Sequence, residues 1–191
     1  MVKSWVVEES RRDTSYRVFH LRTDLARSPL SGRKHEFYVM ESCPWVNVIP
    51  ITSEREVIFI RQYRHGIREA TLEIPGGLVD PGLTPRAAAE KELMEETGYS
   101  SSNWVPMGWV HPNPAIMNNR CYTFLARHAI LSGVQRLDEA EDIDVLSRPL
   151  SEVPELIRKG EITHSLVVVA FYRLFFELAQ PWVGGDSLFA G

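Results

Sequence analysis

Four glutamates, Glu90, Glu92, Glu95 and Glu96, fall within one short stretch of this chain. On a helix, at about 100° per residue, Glu92, Glu95 and Glu96 lie within roughly one 100° arc. Carboxylates crowded on one helix face repel each other. A divalent cation relieves that repulsion, and clustered carboxylate oxygens suit magnesium or manganese. A solvated acidic face would show the same spacing. What precedes the glutamates favours the metal: Pro75, Gly76, Gly77, Leu78, Val79, Asp80, Pro81 and Gly82. Gly76 and Gly77 allow a tight turn where a backbone carbonyl or N–H can approach a ligand.

The elements that must position these groups can be read from the surrounding pattern. Thr84 is an N-cap, Pro85 suits the first helical position, and Gly98 is a C-terminal stop. Ala88 and Ala89 sit one turn before the acids on the same side. Upstream, β-branched and aromatic residues predict short strands at 4–9, 16–22 and 36–41, with a turn around Pro29 and Gly32. Longer strands are predicted at 45–52 and 56–63, and more at 104–111, 122–126 and 143–146. A short helix at 151–159 ends at Gly160, and a last helix at 164–179 ends at Pro181. That last helix is apolar nearly all round, which implies burial against a sheet or a partner subunit. Mixed strands with few helices indicate an α/β sandwich with an N-terminal β appendage. The organisation expected is an appendage at 1–42, a main domain at 43–181 and a mobile tail at 182–191.

The 191 residues suffice for one full core plus a small appendage. With a net charge of -4, bulk charge does not indicate a polyanion-binding surface. An anion site must instead use local cations, metal or backbone N–H groups. Cys43 and Cys121 form neither a disulfide framework nor a zinc site and are expected as reduced thiols in or near the core. There is no N-terminal signal pattern and no apolar run of membrane-spanning length, so the cytoplasm is the expected compartment. No helix-turn-helix or basic appendage points to nucleic acid.

Residues 77–99 resemble the Nudix box. That pattern runs Gly, five residues, Glu, seven residues, Arg-Glu, an apolar residue, any residue, Glu-Glu, any residue, Gly, an apolar residue. Gly77, Glu92, Leu93, Glu95, Glu96, Gly98 and Tyr99 match in register, whereas Leu83 replaces the first Glu and Lys91 replaces Arg. The resemblance implies the Nudix α/β/α sandwich with a mixed sheet. It also implies that Glu92 and Glu96 bind metal, with Glu95 close by as a catalytic carboxylate. Since the acid at 83 is absent, Lys91 lacks that partner. Pro81, Pro85 and apolar packing of Leu83 are expected to hold the loop instead.

The likeness extends from about residue 45 to 175 and points to the ADP-ribose pyrophosphatase branch. Arg61, Gln62, Tyr63 and Arg64 lead, after a loop, into the glycines, as in that branch. Arg64 would offer its planar fork to a phosphate oxygen, and the Gly76 carbonyl would bind metal. His111, Pro112, Asn113, Pro114 and Ala115 match a proline-rich loop, in which Asn113 would contact substrate. Asp138, Glu139, Glu141 and Asp142 match a loop supplying the general base: Glu139 is the base and Glu141 a metal-linked partner.

The resemblance therefore implies Mg2+-dependent hydrolysis, with Mn2+ as a substitute. The substrate would be a nucleoside diphosphate sugar such as ADP-ribose, and the protein a homodimer built through its N-terminal strands. The alternatives are hydrolysis of dinucleotides or nucleoside triphosphates, and a nucleotide-binding sensor with weakened catalysis, for which Leu83 and Lys91 are the reason.

Overall fold

The computed structural model describes residues 1–179 of the chain. The tail expected at 182–191 lies outside the described residues. Two compact units are present.

The first unit takes in Met1–Pro44 and Val110–Cys121. Its antiparallel sheet has the order β1 (Val6–Ser15), β2 (His20–Arg27), β3 (Lys34–Glu41). Strand β1 runs six residues past the expected end at 9, and β2 starts later than the predicted strand at 16. Residues between them form a turn closed by the Tyr16 N–H donating to Phe19 O at 2.8 Å. Arg11, Arg12 and Asp13 hid this strand, because charge runs do not read as β. Cross-strand ion pairs hold it: Glu8 with Arg27 and Lys34, each at 2.6 Å, and Arg12 with Glu41 at 3.0 Å. Trp5, Val7, Phe37 and Tyr38 are exposed, with the Trp5 ring edge-on to Phe37 at 5.1 Å.

The second unit takes in Trp45–Trp109 and residues from Tyr122 onward. Its strands are β4 (Trp45–Ile51), β5 (Glu56–Arg64), β6 (Glu69–Glu73), β7 (Gly76–Leu78), β8 (Tyr99–Ser100), β9 (Asn103–Val110), β10 (Cys121–Arg127), β11 (Ile130–Leu131) and β12 (Ile143–Pro149). Its helices are α1 (Pro85–Thr97), α2 (Val153–Arg158) and α3 (Ser165–Ala179). The main sheet is mixed and ordered β12-β5-β4-β10-β9, with β6 added on β5 and β7 on β4.

Alternation along the strands divides the core in two. Val46 and Val48 of β4, with Phe124 and Ala126 of β10, face Ala88, Ala89 and Leu93 of α1. Ile49, Ile51, Val57, Phe59 and Leu125 point the other way, onto Phe171 and Leu174 of α3 and onto α2. Helices thus cover both sheet faces, the α/β/α layering expected from the sequence. Strands β6 and β7 bring the glycines alongside β4, with Asn47 paired to Gly76 and Val46 to Gly77.

Helix α3 is buried on one side only. Val167, Ala170, Phe171 and Leu174 are buried, while Tyr172 and Phe176 are exposed and stacked on each other at 6.4 Å. From the same helix Arg173 donates to the carbonyls of Met107 at 2.7 Å and Trp109 at 2.9 Å, flanking Gly108. Gly108 has φ 87, and a Cβ there would collide with the Arg173 guanidinium. Among the described residues no helix is long and apolar enough to cross a membrane. The two cysteines are free but unlike: Cys121 is buried and Cys43 is exposed, against the expectation of two core thiols.

Candidate active site

The local sequence of α1 fixes its rotation. Thr84 Oγ1 accepts from the Ala87 N–H at 3.1 Å, and Gly98 ends the helix at φ 74 with its N–H on Met94 O. Ala88, Ala89 and Leu93 lock one face into the core. Glu92 and Glu96, one turn apart, therefore face the glycine strand β7.

Each of the two carboxylates is fitted to one glycine. The Gly76 N–H donates to Glu96 Oε2 at 2.9 Å. A Cβ on Gly77 would come within 2.6 Å of Glu92 Oε1. The signal that marked these glycines in the sequence, permission for close approach, is thus realised at both. Gly76 was expected to offer its carbonyl; the contact seen uses its N–H and sets the residue beside the Glu96 carboxylate.

Burial dominates the electrostatics. It pushes the Glu92 carboxyl up to about 7, with Glu95, Glu141 and Asp80 adding repulsion and Lys91 opposing it. It pushes Glu96, only 4% exposed, up to about 8; the Gly76 N–H and Arg64 oppose the shift, while Glu92 and Glu141 add to it. Two half-starved carboxylates side by side are a donor set that a hard divalent cation satisfies. Among the described residues, no three His, Cys, Asp or Glu side chains converge closely enough to cage a cation by themselves. Backbone oxygen and the phosphates of a substrate would have to complete the shell, as is usual for magnesium.

Glu95 on the same helix lies 3.5 Å from the Lys91 ammonium. The same ammonium group lies 3.0 Å from Asp80 Oδ2. With no acid at position 83, the acidic partner of Lys91 in this loop is Asp80, three positions earlier. Leu83 is 39% exposed, so apolar burial of its side chain does not secure the loop. The loop turns tightly, with the Leu83 N–H on Asp80 O at 3.0 Å, and this directs the leucine outward.

The second acidic cluster lies on the loop between β11 and β12. Its leading end is tied to the last turn of α1, where helix carbonyls lack intrahelical donors. The Arg136 N–H donates to Glu95 O at 2.8 Å, and Gln135 Nε2 donates to Glu96 O at 2.7 Å. Glu141 Oε2 accepts from the Asp138 N–H at 2.9 Å, and Glu141 is close enough to raise the pKa of both Glu92 and Glu96. Glu139 is exposed on the same loop.

Arg64 ends β5, and its guanidinium forms a two-point contact with Glu73: Nε to Oε1 at 2.7 Å and Nη2 to Oε2 at 2.6 Å. Thr71 Oγ1 donates to the same carboxylate at 2.5 Å, and His164 Nε2 is 4.0 Å from it. Burial would raise the Glu73 pKa, but the Arg64 and Thr71 bonds outweigh it and hold the carboxyl below its usual value. Sequence reasoning missed Glu73, Thr71, His164, Gln135 and Asp80. A lone acid between Leu72 and Ile74, both destined for the core, was the available signal for Glu73. Asn113 belongs to the first unit, where its carbonyl accepts from the Met117 N–H at 2.8 Å and its Oδ1 from the Ala115 N–H at 3.3 Å. It builds its own turn.

A family model described as NUDIX domain matches residues 42–167. The "Methanol dehydrogenase activator" of Bacillus methanolicus is 29% identical over 86% of this chain and 89% of its own. The "ADP-ribose pyrophosphatase" of Bacillus subtilis (strain 168) is 29% identical over 68% of this chain and 70% of its own. The "GDP-mannose pyrophosphatase" of Escherichia coli O1:K1 / APEC is 27% identical over 82% and 86%. Among solved structures, an "ADP compounds hydrolase" superposes with a TM-score of 0.82 over 93% of this chain and 96% of that one, at 20% identity, which speaks for the fold.

Proposed function

This chain belongs to the Nudix family of pyrophosphohydrolases, and from that premise we propose that it hydrolyses the pyrophosphate link of nucleoside diphosphate sugars of the ADP-ribose kind. The observation that carries the reading is the pairing of Glu92 and Glu96 with Gly77 and Gly76. It sets the buried Glu96 and the half-buried Glu92 side by side, both with raised pKa values, a pair that a bound divalent cation would favour in its charged form. Relatives named for ADP-ribose and GDP-mannose support the substrate class.

Nudix enzymes generally use divalent metal ions. Here Glu92, Glu96, the Gly76 carbonyl and Glu141 would hold Mg2+, or Mn2+ in its place. When bound, such a cation neutralises the pyrophosphate and acidifies the attacking water. Arg64 presents guanidinium N–H groups to a phosphate oxygen. Glu139, on its exposed loop, takes the proton from water as the new P–O bond forms at one phosphorus and the bridging P–O bond breaks. Glu95 supports that charge transfer from the helix. The products are a nucleoside monophosphate and a sugar phosphate.

We also assign the protein as a homodimer through its N-terminal sheet, whose exposed Trp5, Val7 and Phe37 give an apolar face to cover. Light scattering at micromolar concentration tests this, and a monomer refutes it. The activity is tested with a panel of nucleoside diphosphate sugars, dinucleotides and nucleoside triphosphates, with Mg2+ or with chelator, and products identified by mass. Faster turnover of triphosphates than of any sugar nucleotide would overturn the substrate class.

A further inference from the structure

We propose that Glu73 is a positioning residue for substrate: it holds the Arg64 guanidinium in one orientation, with Thr71 holding Glu73 in turn. The inference rests on the reading of Arg64 as a phosphate contact.

The pair is asymmetric. The Glu73 side chain is 3% exposed and that of Arg64 is 41% exposed, so the carboxylate is the fixed, interior end. The contact uses one N–H from Nε and one from Nη2. A guanidinium carries five N–H donors, so three remain outside this pair, on the side turned away from Glu73. Arg64 also pulls down the pKa of Glu96, which places its charge within reach of the carboxylate that would hold metal.

One further hydrogen bond resists rotation of the Glu73 carboxylate. Thr71, two residues earlier on β6, donates to Oε1. On the other side stands His164, just before α3. Its Nδ1 accepts from the Leu166 N–H at 3.2 Å, so the proton of the neutral ring is on Nε2, the atom facing Glu73 Oε2. Burial favours that neutral form. The end of β5 and the strand β6 therefore meet at one carboxylate, with the neutral His164 ring 4.0 Å away. A buried ion pair kept only for stability is replaceable by apolar side chains of similar volume. Here one partner is half exposed and its charge is felt by Glu96, and an arginine so held loses little freedom when a phosphate arrives.

The test is a double-mutant cycle on ADP-ribose hydrolysis with wild type, E73Q, R64A and E73Q/R64A. E73Q is expected to raise KM about tenfold with a smaller change in kcat, and to add nothing in the R64A background, the non-additivity of residues acting as one unit. Multiplying effects of E73Q and R64A, or an unchanged KM in E73Q, overturn the inference. If E73Q does not fold, T71V, which removes one of the carboxylate's hydrogen bonds, is read in the same way. A raised KM at unchanged Tm supports the inference and an unchanged KM overturns it. A wild-type protein that hydrolyses no nucleoside diphosphate sugar refutes the functional reading itself. That outcome is separate from an active wild type in which Glu73 and Arg64 act independently.

Discussion

Lys91 on α1 reaches back to Asp80 at 3.0 Å and so fastens the loop that carries Leu83 to the helix. Both side chains are about half exposed, and such a pair contributes roughly 0.2–1 kcal/mol. Asp80→Ala should therefore lower Tm by only a few degrees. Leu83→Glu changes an exposed side chain on a loop already held, and turnover should change by less than about threefold, as for surface substitutions that alter free energies by a few tenths of a kcal/mol. A Leu83→Glu variant that turns an inert protein into a fast hydrolase would instead establish a weakened, sensor-like parent.

Glu92→Gln and Glu96→Gln should each reduce kcat on the order of 100-fold, the scale of losing one element of electrostatic stabilisation, and weaken Mg2+ binding measured by calorimetry. Near-normal turnover with the same metal dependence in both variants would remove the metal assignment.

The same two groups set a pH dependence in the chelated protein. Their folded pKa values, about 7 and about 8, lie above the ordinary 4.5. Between pH 4.5 and 8 the folded protein holds protons that the unfolded chain releases. The stability they contribute is thus complete below 4.5, falls through this window and is flat above it. Tm scans in chelator should show the decline, Mg2+ should raise Tm most at the alkaline end, and the E92Q/E96Q double variant should lack the slope. A wild-type slope retained in that variant would assign the effect elsewhere.

Gly77→Ala should separate folding from catalysis. The added methyl meets the far end of the Glu92 side chain rather than backbone, and Gly77 carries no left-handed φ. The fold can give way by moving the carboxylate, at little loss of Tm, while displacement of a ligand by about 1 Å lowers activity about 100-fold. Loss of the fold in Gly77→Ala would show that the contact is structural.

On the acidic loop, Glu139→Gln should lower kcat by about 100-fold or more and flatten the acidic limb of the pH–rate profile, as removal of a general base does. Glu141→Gln should chiefly raise the Mg2+ concentration needed for activity, since Glu141 bears on Glu92 and Glu96. The reverse assignment of these two effects would exchange the roles of the two residues.

The sequence was most legible where local chemistry decides structure. Thr84, Pro85 and Gly98 delimit α1 because caps act within one turn. The nearly unbroken apolar run at 45–51 goes with a strand buried on both faces, since strand side chains have a period of two. It was least legible where distant partners decide. Strand β1 is held by charges on β2 and β3, and the Asp80–Lys91 and Glu73–His164 relations span 11 and 91 positions, or 91−80 and 164−73. Spacing placed Glu92, Glu95 and Glu96 on one face, yet Gly77, Lys91 and Gly76 respectively give each a different environment. The acid that pairs with Lys91 sits at Asp80 rather than at position 83, where the turn closed by the Leu83 N–H on Asp80 O brings it.

The contrast between the two cysteines provides a chemical handle. Cys121 is buried, with its thiol pushed up to about 12, and so offers almost no thiolate at neutral pH. Cys43 is exposed. A maleimide applied to the native protein would therefore label one position, at the end of the N-terminal unit. A fluorophore or spin probe placed there requires no cysteine removal, and would let the surroundings of that unit be followed as substrate, metal or a second copy of the chain is added.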